Sequence, residues 1–286
     1  MKTKLALAVV AVLLFWVSPA GGAEWKAGIA RTEITPQKPV WMAGYASRDH
    51  LPDGTIHPLW AKALAIEDSA GSRLVIVTSD LIGLPAKLGD AVCARAQKST
   101  GIARERGLLN SSHTHSGPVV IHCAPVAYGL TPEQYADAEA YAGTLQDKLA
   151  GLIETACAAM QPAELSYGVG EATFSINRRS KRKSGFRIAP NAEGPVDHQV
   201  PVLRVSDAQG KVVAVLFGYA CHNTTTAIYQ YNGDYAGYAQ IALEKAHPGT
   251  TALFMIGCGG DSNPEPRGKI ELAQQQQPWV VLIEDA

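Results

Sequence analysis

Four short apolar runs constrain this chain most: Leu74-Val75-Ile76-Val77, Val200 to Val205, Val212 to Tyr219 and Ala252 to Ile256. Each is continuous rather than alternating, and polar or glycine residues close it. Runs of that length suit strands in a sheet that is covered on both faces. Between them lie segments of helical periodicity. The clearest is Pro132 to Met160, with Thr131 where an N-cap belongs, Pro132 at the first helical position and Glu133 in the first turn. A second helix is predicted from Pro85 to Thr100, ended by Gly101, and a third from near Tyr235 to before Pro248. Strands alternating with helices predict an α/β fold of mixed β-sheets flanked by helices, in a single domain of catalytic type.

Bulk properties narrow the function. Hydrophobic residues make up 47% of the 286 and charged residues 18%, enough for a sizeable core and against disorder. The formal net charge is −1, so nothing global argues for a nucleic-acid partner. Lys2 and Lys4 precede an apolar run from Leu5 to Val17, and small residues Gly21-Gly22-Ala23 follow. These are the three regions of a secretory signal peptide, so residues 1–23 are expected to direct export, to the periplasm or outside the cell. The apolar run is too short to span a bilayer comfortably. The five cysteines are widely spaced and odd in number, which leaves room for one or two disulfides beside at least one free thiol.

The stretch Arg178 to Arg187 carries six positive charges, at Arg178, Arg179, Lys181, Arg182, Lys183 and Arg187. Such a run is expected to be a solvated loop, or else to touch anionic lipid head groups as a peripheral membrane contact.

The chemistry gathers where apolar runs end. Ser112-His113-Thr114-His115-Ser116-Gly117-Pro118 follows Leu108-Leu109, and Cys221-His222-Asn223-Thr224-Thr225 follows Phe217 to Ala220. Asn232 to Gly237 and Gly257 to Pro264 have the same polar, glycine-rich character. In open α/β sheets ligands sit beyond the carboxyl ends of strands. His113 and His115 are one residue apart, so in an extended segment both would point to one face. They could serve as two metal ligands, or as one ligand and one general acid–base, with His222 as a further nitrogen. A catalytic zinc takes three protein ligands and leaves a position for water. Asp80 could orient a ligand imidazole or cap a helix at Leu81. Gly259-Gly260-Asp261 reads as a tight turn needing positive φ. His50, His57, His122, His198 and His247 are read as ordinary histidines.

At these residues the chain resembles the N-terminal catalytic domain of the neutral/alkaline non-lysosomal ceramidases. The signatures run in order: Gly28 to Pro36, Met42-Ala43-Gly44-Tyr45, His57 to Ala63, Val77-Thr78-Ser79-Asp80, Ser112 to Pro118, Ser175-Ile176-Asn177-Arg178, Tyr219-Ala220-Cys221-His222, Gly233 to Gly237 and Gly257 to Asp261. The resemblance implies an amidohydrolase that splits N-acylsphingosine (ceramide) into a sphingoid base and a fatty acid, using one Zn2+. It implies His113 and His222 as zinc ligands, His115 beside the substrate and Arg178 at the reacting carbonyl.

Two departures matter. The family has a serine in a G-D-x-S-P motif; here Asn263 stands at its place and Ser262 is one position early. Ser262 is the candidate replacement, although a one-residue shift in an extended segment turns a side chain to the other face. The family's remaining zinc ligands, a glutamate and a tyrosine, lie further downstream. The ceramidase-like domain is therefore expected over residues 24–274 with its C-terminal part missing, followed by an unrelated tail at residues 275–286. Glu271, Glu284 or Tyr235 could in principle complete the metal shell, although no spacing argument selects any of them. Two alternatives stay open: a hydrolase of the same fold for another amide or ester, and an inactive fragment or lipid-binding module.

Overall fold

The computed structural model describes residues 24–123 and 128–268. Its elements are β1 (Trp25–Glu33), β2 (Gly54–Thr55), β3 (Trp60–Asp68), β4 (Arg73–Ser79), α1 (Ala86–Thr100), β5 (Gly107–Ser111), α2 (Pro132–Ala158), β6 (Gln161–Glu171), β7 (Ser175–Lys181), β8 (Phe186–Asn191), β9 (Gln199–Asp207), β10 (Val212–Tyr219), β11 (Gln230–Tyr231), α3 (Asp234–Ala246), β12 (Thr251–Ile256) and β13 (Ser262–Pro264). The four apolar runs are β4, β9, β10 and β12, and the three expected helices are α1, α2 and α3. At the start of α2, Thr131 Oγ1 accepts from the Gln134 N–H and Gln134 Oε1 accepts from the Thr131 N–H, a complete capping box. Gly101 ends α1 in the left-handed region.

Eight strands form one mixed sheet in the order β12-β10-β9-β6-β1-β3-β4-β5. The two outermost pairs, β10 with β12 and β4 with β5, are parallel, and the pairs between are antiparallel. The sheet folds over itself into two packed halves. Leu64 and Ile66 of β3, Val205 of β9, Leu216 of β10 and Leu253 of β12 share one core cluster made wholly of strand residues. On the outer faces, α1 and α2 cover Ala61, Ala63, Val75 and Val77, while α3 covers Val202, Val215, Phe217 and Phe254. The layers are thus helix, sheet, sheet, helix, and β3 is buried on both sides.

The two sheet edges meet near the carboxyl ends of β5 and β12. Asn110 Nδ2 donates to the Ile256 carbonyl at 3.1 Å, and its Oδ1 accepts from the Ile256 N–H at 2.9 Å. Twist of roughly 20–25° per neighbouring pair accumulates to about half a turn across the sheet. That is enough to bring together the ends of strands that run in opposite senses along it. A second brace crosses the halves at Lys62, whose buried ammonium donates to Glu244 Oε1 and to the Ala252 carbonyl, both at 2.7 Å.

Several expectations are corrected here. The basic stretch is no loop: β7 and β8 form an antiparallel hairpin, turned between Arg182 and Gly185, where Gly185 takes φ +77°. All five cysteines are free thiols. Asp80 neither caps a helix nor hydrogen-bonds a candidate ligand imidazole; its buried carboxyl group accepts from the Trp60 N–H and the Gln240 amide. Residues 1–23, Glu271, Glu284 and the 275–286 tail lie outside the described residues. No helix among the described residues is long and apolar enough to cross a membrane.

Candidate functional site

Three loops converge where the sheet edges meet. The first leaves β5 and carries His113 and His115, the second leaves β10 and carries His222, and the third joins β12 to β13. The nitrogens that His113, His115 and His222 can offer lie within 4.8 Å of one another. Their ring centroids are separated by 5.0 Å (His113 to His115), 4.8 Å (His113 to His222) and 5.8 Å (His115 to His222).

The H-x-H pair converges, but not by strand alternation. His113 sits at φ +60°, a left-handed conformation that is uncommon for a non-glycine residue and that re-aims its ring. Such strain persists only where neighbours over-determine it. Here the His113 N–H donates to the Leu81 carbonyl at 2.9 Å, and Thr114 bridges to Asn223 of the neighbouring loop.

The residues of the Asn232-Gly233-Asp234 segment tie the two histidine loops together. Asp234, fully buried at φ +54°, accepts from the N–H groups of Thr225, Thr226 and Tyr235 and from the Thr226 hydroxyl. The Asn232 carbonyl accepts from Thr114 Oγ1, and Asn223 Nδ2 donates to the Gly233 carbonyl. Tyr235 is buried beneath this loop, where its hydroxyl donates to the Cys221 carbonyl. That contact sets it under the His222 loop rather than among the imidazoles.

Two imidazoles have fixed tautomers. His113 Nδ1 meets the Ile82 carbonyl at 2.7 Å and His222 Nδ1 meets the Gly259 carbonyl at 2.8 Å. A carbonyl only accepts, so Nδ1 carries the proton and Nε2 keeps its lone pair. Carbonyl partners of this kind hold metal-binding histidines in orientation. His115 differs: its Nδ1 is buried with no hydrogen-bond partner, and its Nε2 lies 3.4 Å from His113 Nε2. Burial, first, lowers the pKa of all three, to about 3 for His115 and about 4 for His222, and the Arg178 charge pushes the same way. All three rings are therefore neutral near pH 7, the form a metal binds.

These donors fit zinc. Neutral imidazoles are among its usual ligands, and two nitrogens on one tetrahedral zinc at about 2.0–2.1 Å lie roughly 3.4 Å apart. The nitrogens of His113 and His222 lie within 4.8 Å of each other, and both keep an Nε2 lone pair free for the metal.

Arg178 lies beside them on β7. Its Nε and Nη2 donate to the Gly260 carbonyl and its Nη1 to Asn263 Oδ1 at 3.2 Å. Ser262 turns away: its buried hydroxyl donates to Asp261 Oδ1, and its carbonyl accepts from the His222 N–H. Thus Asn263, not Ser262, meets the arginine, as alternation along a short strand requires. Gly259 is needed for close approach rather than for positive φ, since a Cβ there would lie 2.4 Å from the Cys221 nitrogen.

The sequence reading missed Arg48. Its buried guanidinium donates to the His115 carbonyl at 3.0 Å and to the Ile228 carbonyl, and it stacks on Tyr45 and Tyr229. Gly44, at φ +102°, backs His115 so closely that a Cβ there would lie 2.5 Å from the ring's Cγ. A cleft of about 360 Å³ opens onto the site, with Ile82, Leu84, Leu109 and Ile256 beside His113, His222 and Gly260. A cavity of about 330 Å³ under α2 contains no histidine, so chemistry rather than size singles out the first.

Comparison with known proteins identifies the family. Residues 25–277 match the family model described as neutral/alkaline non-lysosomal ceramidase, N-terminal. The neutral ceramidase of Pseudomonas aeruginosa is 31% identical over 274 residues, covering 92% of this chain and 40% of that protein. Neutral ceramidase A of Dictyostelium discoideum is 28% identical over 244 residues, covering 79% of this chain and 34% of that protein. The crystal structure of the Pseudomonas aeruginosa neutral ceramidase superposes with a TM-score of 0.73 at 25% identity, over 92% of this chain and 45% of that one. A ceramidase complexed with C2 gives 0.75 at 27% identity, over 92% and 44%. The chain thus spans less than half the length of these relatives.

Proposed function

We propose that this chain, which belongs to the neutral/alkaline non-lysosomal ceramidase family, supplies the catalytic residues of an exported, zinc-dependent hydrolase that cleaves the amide bond of N-acylsphingosine. The observation that carries this reading is the set of three neutral imidazoles beside an anchored arginine, with His113 and His222 lining a part-apolar cleft. His113 and His222, with their Nδ1 protons tied to carbonyls, would hold the metal. Zinc there supplies a Lewis acid for the substrate carbonyl and lowers the pKa of water towards neutrality.

The remaining work falls to the chain's own side chains. Arg178, fixed by Gly260 and Asn263, presents positive charge where an oxyanion grows, and that charge matters most in the transition state. His115 stands on the substrate side. It is unprotonated at rest, so it accepts the proton of the attacking water and delivers it to the departing amine. Gly44 and Arg48 keep its ring in place. The apolar wall of Ile82, Leu84, Leu109 and Ile256 suits a hydrocarbon substituent of the amide. Export rests on the Lys2 to Ala23 pattern.

A second reading has one observation in its favour. Asn263 faces Arg178 where the family motif has serine, and this favours a different amide or ester on the same scaffold. The two are separated by measuring zinc content and turnover of a fluorescent ceramide beside a short soluble N-acyl amide. Turnover of the ceramide with one zinc per chain is the expected result. Turnover of the short amide alone would replace the substrate, and absence of both zinc and turnover would sink the hydrolase reading.

A further inference from the structure

We propose that the β7–β8 hairpin docks the chain on the surface of an anionic phospholipid bilayer. The hairpin begins in the candidate site, where Arg178 and Arg179 both donate to the Gly260 carbonyl. Its far end stands in solvent, and every residue from Lys181 to Ile188 is exposed. Two of these are large and apolar: Phe186 is 68% exposed and Ile188 62%.

The register decides what shares a face. Lys181 pairs with Phe186 and Arg179 with Ile188. Directly opposed residues project to the same side of a two-stranded ribbon. One face therefore alternates cation and hydrophobe, and Arg182 and Lys183 extend the positive charge into the turn. No aspartate or glutamate occurs between Ser175 and Ala192. None of the cations from Arg179 to Arg187 forms an ion pair among the described residues. A face of unpaired cations interleaved with exposed Phe and Ile matches the head-group region, which is negative at its surface and apolar just beneath. Water would suffice for the charges, but it gives no place for Phe186 and Ile188.

The inference rests on the lipid-amide reading for its purpose, since such a substrate resides in membranes and the hairpin leaves directly from the site. Its test does not depend on turnover. The whole chain is sedimented with vesicles of phosphatidylcholine alone and of phosphatidylcholine mixed with phosphatidylglycerol. Binding is expected to the mixed vesicles and to weaken as salt screens the charge. Each cation removed should weaken it by about five-fold, so the double variant R182E/K183E should lose well over ten-fold. F186A/I188A should lose binding to a similar degree, with zinc content and hydrolysis of a soluble amide unchanged. Equal binding to both vesicle types, or no change in either double variant, would overturn the proposal. Concentration-dependent self-association that F186A/I188A abolishes would make the patch a contact between copies and overturn it too. Vesicle binding without any amide turnover would leave the docking intact and remove the catalytic reading instead.

Discussion

The loops that carry the histidines and the hairpin that carries Arg178 lie side by side, yet they are held in opposite ways. The histidine loops are buried and braced by polar groups from far along the chain. Asp234 alone takes four hydrogen bonds, and His113 is kept in a left-handed conformation. The hairpin is fixed at its root, where β7 pairs with β13 and Arg178 and Arg179 donate to Gly260, and its outer residues are exposed. The difference separates precision from reach. A metal site tolerates errors of a few tenths of an ångström, so its loops must be over-determined. A surface that meets a fluid partner needs exposure instead.

The comparison can be broken most directly at the metal. His222→Ala should lower zinc affinity at least 100-fold, beyond the roughly 10–100-fold typical of losing a supporting partner. A chelator competition titration that finds affinity unchanged would remove His222 from the shell. Next comes the brace. Asp234→Ala removes the acceptor used by the buried N–H groups of Thr225 and Thr226 and should cost about 3 kcal/mol in urea denaturation. Asp234→Asn, which keeps one acceptor and tolerates the left-handed conformation, should cost less. Equal effects from the two would show that the carboxylate is not the brace.

Gly44→Ala sharpens the distinction between the imidazoles. The new Cβ would strain a backbone at φ +102° and press on His115, so a stability loss of about 1–3 kcal/mol is expected. Turnover should fall while zinc content holds, because His115 is assigned to the substrate. A parallel loss of zinc would make His115 a third metal ligand. The smallest effect belongs to the hairpin: F186A/I188A should change folding stability by less than about 0.5 kcal/mol. A larger loss would mean that these side chains pack against something in the fold.

Much of this was legible beforehand, for identifiable reasons. The helices α1, α2 and α3 could be read from Gly101, from Thr131-Pro132 and from the segment around Tyr235 because caps and periodicity act within a few residues. Strands β4, β9, β10 and β12 announced themselves as apolar runs. Strands β1, β3 and β6 did not: their alanines, glycines and charged residues hide burial that only the neighbouring strands supply. The hairpin was obscured because six cations in one stretch resemble a solvated loop, and pairing β7 with β8 depends on register rather than composition.

The sequence by itself determined the α/β class, the principal helices and the residues able to do the chemistry, because propensity, capping and donor type are local properties. Only the tertiary structure decided that His113, His115 and His222 meet, that His113 does so through a strained backbone, and that Asn263 rather than Ser262 faces Arg178. Those outcomes depend on the folding of one twisted sheet onto itself and on contacts such as Asn110 with Ile256. Residues that far apart in the chain have no local signal of their closeness, because only the packing of the two sheet halves brings them together.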